Sequence, residues 1–229
     1  MDEQKYNLEK SKAELDKLVD LSAEETDKTA CDTLAEKAKI IYEQYPESED
    51  ITLQYARILV NLSTKQTVLK ERMATAKKLE NLQQKFQDSH DIAEAFARIL
   101  FILSTKQTVL KELETTAKKL ENLQQKFQDS HDIAEALAMI LVNLSSKQTK
   151  LKELVTTAKK LENLQQNFQK SHDIALQYAM ILFNLSTEQT KLKELVTTAK
   201  KLEKLQQQFP ESHDIALQYA MILVNLSTK

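Results

Sequence analysis

The chain of 229 residues contains no glycine and no tryptophan, and only two prolines, Pro46 and Pro210. The missing glycine excludes most. Hairpins of β proteins rely on residues with φ > 0, usually glycine. Rossmann and P-loop sites need glycine where the backbone meets phosphate. Neither an ordinary β fold nor an ordinary nucleotide loop fits this composition. Cys31 is the only cysteine, which rules out an intramolecular disulfide and a zinc site built on several cysteines. Charge excess is missing too. Lys+Arg number 32 against 34 Asp+Glu, a net charge of -2, so nothing draws the whole chain toward nucleic acid or an anionic membrane. No apolar run approaches the roughly 20 residues of a membrane span. The opening MDEQKYNLEK lacks the basic-then-apolar pattern of a secretion signal. The expectation is a cytoplasmic protein that engages neither nucleic acid nor membrane.

What is present is repetition. Ser48, Ser89, Ser130, Ser171 and Ser212 follow one another at intervals of 41 residues. Segments 89–129 and 130–170 align without a gap and share 32 of 41 residues. Carried backward, the register places Leu21-Ser22 on Leu62-Ser63 and Tyr45 on Phe86. The chain thus reads as a diverged N-terminal repeat at 1–47 and four full repeats at 48–88, 89–129, 130–170 and 171–211. A half repeat of one helix follows at 212–229, the whole forming one continuous domain.

Each repeat reads as two helices. In the copy from Ser171, Ile174, Ala175, Tyr178, Ala179, Ile181, Leu182 and Leu185 recur with helical period. The stretch STEQT at Ser186–Thr190 breaks that pattern. Leu192, Leu195, Ala199, Leu202, Leu205 and Phe209 form the stripe of a second helix, which ends where Pro210 stops it. A helix pair with an apolar stripe buries it only against a neighbouring pair, so the fold class is all-α, an α-solenoid of antiparallel helix pairs with a repeat of 41 residues.

All four histidines lie in the motif SHDIA, at His90, His131, His172 and His213. The serine is a good N-cap, and the aspartate of the first turn meets the positive end of the helix dipole. The copy from Ser48 reads SEDI, with Glu49 in the histidine position. A position that accepts Glu or His reads as solvated surface. Packed helices stand about 8–10 Å apart, whereas zinc ligands lie about 2 Å from the metal, so histidines one repeat apart do not converge on one ion. Cys31 shares a column with Leu113, Leu154 and Leu195 and reads as a small buried apolar residue. The Lys-Lys pairs at 77–78, 118–119, 159–160 and 200–201 are followed by Glu80, Glu121, Glu162 and Glu203, the pattern of a solvated helix face with i,i+3 pairs. In the N-terminal repeat, SAEE at Ser22–Glu25 reads as a capping box. Neither a catalytic constellation nor a cofactor or metal site is visible, and the chain reads as a non-enzyme.

A helix pair followed by a proline-and-turn junction resembles the tetratricopeptide repeat, with its pattern of about 34 residues. Ala175, Tyr178, Ala179 and Leu182 fall on its first half, and Thr198, Leu202 and Pro210 on its second. The signature Trp and Gly are missing, and Thr198 stands where the pattern has alanine. The surplus length lies between the two helices, in STEQTKL. The likeness is closest to bacterial tetratricopeptide-like proteins with near-identical repeats of a little over forty residues. HEAT and armadillo repeats, of about 40–47 residues, are the alternative.

The resemblance implies a right-handed superhelix whose concave groove is lined by the first helices. It implies a protein or peptide as partner. The implied groove columns are Leu53/Glu94/Glu135/Leu176/Leu217, Arg57/Arg98/Met139/Met180/Met221, Val60/Phe101/Val142/Phe183/Val224 and Asn61/Ile102/Asn143/Asn184/Asn225. These columns vary between copies, as ordinary drift outside a core also would. The Leu59/Leu100/Leu141/Leu182/Leu223 column does not vary. A groove that turns from charged to Met-rich along the chain suits an amphipathic helix or an extended peptide with an apolar stretch. The other reading is a structural, self-assembling array. In that reading Ile215, Tyr219, Ile222 and Leu226 of the last helix are left uncovered and drive weak self-association.

Overall fold

The computed structural model describes residues 3–228; Met1, Asp2 and Lys229, at the outer edges of the first and last segments above, lie outside the described residues. Among the described residues there are eleven helices and no strand. They are α1 (Glu3–Glu24), α2 (Lys28–Gln44), α3 (Glu49–Lys65), α4 (Leu69–Lys85), α5 (His90–Ser104), α6 (Leu110–Lys126), α7 (His131–Ser145), α8 (Leu151–Asn167), α9 (His172–Glu188), α10 (Leu192–Gln208) and α11 (His213–Ser227). No described residue has a positive φ, so every turn between helices is made without glycine's conformations.

Side chains close those turns instead. Ser48, Ser89, Ser130, Ser171 and Ser212 are the N-caps of α3, α5, α7, α9 and α11. Each hydroxyl accepts the backbone N–H of the isoleucine three residues on, at 3.3–3.4 Å. The second helices α4, α6, α8 and α10 have no side-chain cap. The turn before them is pinned by a glutamine. Thr157 Oγ1 donates to Gln148 Oε1 and Thr198 Oγ1 to Gln189 Oε1, both at 2.9 Å, while Gln66 Nε2 donates to Thr75 Oγ1 at 2.9 Å. The threonine that departs from the tetratricopeptide alanine is therefore a turn anchor.

Two sequence expectations change here. Ser22 is not the start of a capping box. It lies inside α1, fully buried, and donates to the Val19 carbonyl at 2.8 Å. The cap of α2 is Asp27, whose Oδ2 accepts from the Ala30 N–H at 3.0 Å. The STEQT break also begins later than its composition suggests, because α9 runs on to Glu188. Ser186 and Thr187 fold their hydroxyls onto the carbonyls of Phe183 and Asn184, so they sit in a helix without competing with it.

The chain divides into two compact units, Met1–Gln107 and Thr108–Lys229. In the first, α3 packs on α1, α2, α4 and α5, and α4 packs on α5. In the second, α7 packs on α6, α8 and α9, and α9 packs on α7, α8, α10 and α11. Each first helix inside a unit is thus enclosed by neighbours on several sides, and its residues dominate the core. Second helices bury one stripe, such as Leu154, Ala158, Leu161 and Leu164 of α8. The small residue of the first helix permits close approach: Ala56, Ala138 and Ala179 are fully buried. Cys31 is buried as well, with its thiol pushed above the ordinary range by burial, which suits a packing residue and not a nucleophile.

Because Ala179 has no exposed surface and lies between α9 and its neighbours, Ala179→Leu is expected to destabilise the protein by about 1–3 kcal/mol through overpacking. Urea denaturation followed by circular dichroism measures this. An unchanged midpoint would place the close contact elsewhere in the helix.

Candidate functional site

The residues expected to line a partner face fall into two groups. In the first unit, Leu53, Asn61, Glu94, Phe101 and Ile102 are half-buried, Arg57 and Arg98 are exposed, and Val60 is buried. In the second unit, Glu135, Met139, Asn143, Leu176, Met180, Phe183, Asn184, Met221 and Asn225 are half-buried, and Val142 is buried. Leu217 and Val224 are 56% and 61% exposed. Since α9 packs on both α7 and α11, the second unit carries a set of accessible apolar side chains on three neighbouring first helices. Methionine is prominent in it, a side chain that adapts to varied surfaces.

The asparagine column has a further role. Asn61 Nδ2 donates to Ser22 Oγ at 2.9 Å, Asn184 to Ser145 Oγ at 2.9 Å and Asn225 to Ser186 Oγ at 3.0 Å. Each serine in turn donates to a carbonyl of its own helix, as Ser145 does to Val142 at 2.8 Å. The amide of one first helix is thereby tied to the first helix before it. Ile102 carries no amide to offer. Arg72 of α4 supplies a different tie at that junction. Its Nη1 donates to the Ile102 carbonyl at 2.8 Å and to Thr105 Oγ1 at 3.1 Å, and its Nε to the Gln66 carbonyl at 2.6 Å. Arg72 is buried, which lowers its pKa by desolvation, and it sits at the negative C-terminal end of α5. It shares the column of Cys31 and Leu113, a departure that the sequence displays and that periodicity alone does not interpret.

The histidines are half exposed but not merely solvated. His131 Nε2 lies 2.9 Å from Ser171 Oγ, and His172 Nε2 lies 2.8 Å from Ser212 Oγ. Each ring also stands edge-on to a phenylalanine of its own repeat, His131 to Phe168 at 5.9 Å and His172 to Phe209 at 5.7 Å. The N-cap serine accepts from its own helix and meets the preceding histidine as well. One group of possible metal ligands, His90, Asp91 and Glu94, brings its atoms within 4.8 Å of one another. All three come from one turn of α5, His90 and Asp91 are exposed, and His90 Nδ1 lies 3.4 Å from Glu94 Oε1. A side-chain contact along one turn of the helix accounts for that geometry.

The Lys-Lys motif pairs across repeats as well as along the helix. Lys77 meets Glu80 at 2.9 Å within α4. Lys160 reaches Glu121 at 2.6 Å and Lys201 reaches Glu162 at 2.7 Å, each 39 residues back. These three lysines are engaged with acids.

The last helix corrects the list of uncovered residues. Ile215 and Ile222 are fully buried, and Tyr219 and Leu226 are half-buried. The isoleucines face the preceding helices, as their counterparts Ile174 and Ile181 do. The side left open carries Ala220, Leu223 and Ser227. Leu223 is 44% exposed, whereas Leu182 at the same position of α9 is 1% exposed.

No protein-family model matches the chain, and a search of curated proteins finds no match. No helix among the described residues is long and apolar enough to cross a membrane.

The histidine ties yield a test with an internal control. His172→Ala removes the contact to Ser212 and the edge contact to Phe209, and is expected to cost about 0.5–1.5 kcal/mol. His213→Ala, at the same position of α11, is expected to stay within about 0.5 kcal/mol of the parent. Equal effects in chemical denaturation would show that the inter-repeat contact contributes nothing.

Proposed function

We propose that the chain is a non-enzymatic binding scaffold, a tetratricopeptide-like α-solenoid whose first helices form a concave groove for a protein or peptide. The observation that carries this reading is the accessible apolar surface on α9 and α11, where Leu176, Met180, Phe183, Leu217, Met221 and Val224 keep part of their area in solvent. In α9 the residues between them, Ile174, Ala175, Ala179, Ile181 and Leu182, are buried in the core. Apolar area left accessible on adjoining elements marks interaction surfaces. An amphipathic helix, or an extended segment with apolar side chains, would complement it.

Met180→Glu combined with Phe183→Glu is expected to abolish binding of an amphipathic helical peptide selected against the protein, with helicity unchanged. Lys159→Ala with Lys160→Ala on α8 is expected to leave binding within about twofold, since surface positions outside an interface change affinity little. Fluorescence anisotropy reads both. The reverse ranking would move the partner to the second helices and sink the groove reading.

A second reading, self-association through α11, rests on the exposure of Leu223 and Ala220. Their counterparts Leu182 and Ala179 are buried under a neighbouring helix. The far end of the first unit offers a poor match. There α1 presents exposed Lys10, Glu14 and Lys17 where α3 has Ile51, Tyr55 and Ile58, so tail-to-tail contact is favoured. Sedimentation velocity is expected to show concentration-dependent association that Leu223→Gln with Leu226→Gln removes. A strict monomer at high concentration would dispose of this reading and leave the groove untouched.

A further inference from the structure

In the second unit the accessible apolar face has a charged edge. Along α9 one stripe runs from Asp173 through Leu176, Met180 and Phe183 to Thr187. Spacings of three and four residues keep all five on one side of the helix. The same stripe starts at Asp132 in α7 and at Asp214 in α11, and passes through Met139 and Met221. The ties between these helices show that they run parallel with equivalent positions side by side. His172 at the start of α9 meets Ser212 at the start of α11, and Asn184 near the end of α9 meets Ser145 at the end of α7. Asp132, Asp173 and Asp214 therefore form a row along one edge of the face, one from each helix.

All three aspartates are exposed. Among the described residues none is paired with a lysine or arginine, and Asp173 meets the ring of its neighbour His172 at 3.4 Å. Glu135 of α7 adds a carboxylate beside the row. At the other end the stripes finish on Ser146, Thr187 and Thr228, whose hydroxyls donate to carbonyls of their own helices. The first unit differs. There Asp50 is held by Lys12 at 2.7 Å, and Arg57 and Arg98 stand in the methionine column.

Dimensions and charge together select an occupant. From Leu176 to Phe183 the apolar band measures about 10 Å along α9. That suits an α-helix, about 10–12 Å across with its side chains, and is about twice the width of one extended strand. Packed helices stand about 8–10 Å apart, so the aspartates recur at about that interval. A helix laid across them covers it in about six or seven residues, of which seven returns to the same side. An acidic edge repels acidic segments and attracts basic ones.

Resting on the groove reading above, we propose that the partner is a basic amphipathic α-helix lying across α7, α9 and α11. Its apolar side covers the methionine band, and its lysine or arginine side chains, repeating about every seven residues, meet the aspartate row.

Two synthetic amphipathic peptides test this. They share one leucine-rich face and differ at three flanking positions spaced as above, lysine in one and glutamate in the other. Fluorescence anisotropy with the full chain is expected to show the lysine peptide binding at least about tenfold tighter at low salt, since three exposed ion pairs together amount to roughly that factor. Raised salt is expected to shrink the ratio. Asp132→Asn with Asp173→Asn and Asp214→Asn is expected to bring the two peptides within about twofold of each other, with helicity unchanged. Equal affinities for the parent chain, tighter binding of the glutamate peptide, or a ratio left intact by the triple variant overturns the basic helix and leaves the groove standing. Binding of neither peptide, or binding that Met180→Glu with Phe183→Glu does not disturb, removes the groove and the basic helix with it. The comparison on the parent chain needs no variant, so it decides the matter even where the triple variant fails to fold.

Discussion

A first helix of this chain is apolar on opposing sides, and only neighbours on both sides can cover it. In α9, Ile174 and Ile181 are fully buried, and so are Ala175 and Ala179, with Leu182 almost so. Full burial of one such Leu or Ile side chain contributes about 1.5–3 kcal/mol, whereas an exposed ion pair contributes roughly 0–1 kcal/mol. The array therefore stands on the enclosure of its first helices. The second helices, which bury a narrower stripe, act as the outer layer and carry the charges. A helix pair taken alone would leave one apolar side of its first helix in water, so each pair depends on a neighbour.

Apolar burial alone does not fix register, because Leu, Ile and Ala pack acceptably after a small slide. The polar ties do that work. Asn184 meets Ser145 across 39 residues, His131 meets Ser171 across 40, and Lys160 meets Glu121 across 39. One residue of slip turns a helix by about 100° and carries each of these groups out of reach. Bonds of this kind add modestly to stability, and each excludes neighbouring registers. Within a repeat, Gln189 and Thr198 hold the turn in the same way across nine residues, without a residue in a glycine conformation.

Much of this was legible in the sequence. The five serine caps, the small residue at Ala179 and the buried Cys31 follow from spacing and helical period. The period tells which residues turn inward, but not which neighbour covers them. That is why Ile215 and Ile222 were expected at the open side, while Ala220 and Leu223 lie there. Hydrogen bonds between repeats were hidden for a related reason. Asparagine, serine and histidine in helical surroundings read as solvated, and their pairing appears only once the helices are placed side by side. The Ser22 motif misled because a capping box and a buried in-helix serine present the same letters.

The departures from the repeat are more informative than the repeat. Where Ile102 replaces the asparagine, the amide-to-serine tie is lost at that junction, and Arg72 in the helix before it brings a guanidinium to the carbonyl of that same residue. A buried guanidinium is costly unless its donors are met, and here three hydrogen bonds to Gln66, Ile102 and Thr105 meet them. The loss and the gain fall on one residue, so the two changes act as a compensating pair. A departure balanced inside the fold in this way is a matter of stability.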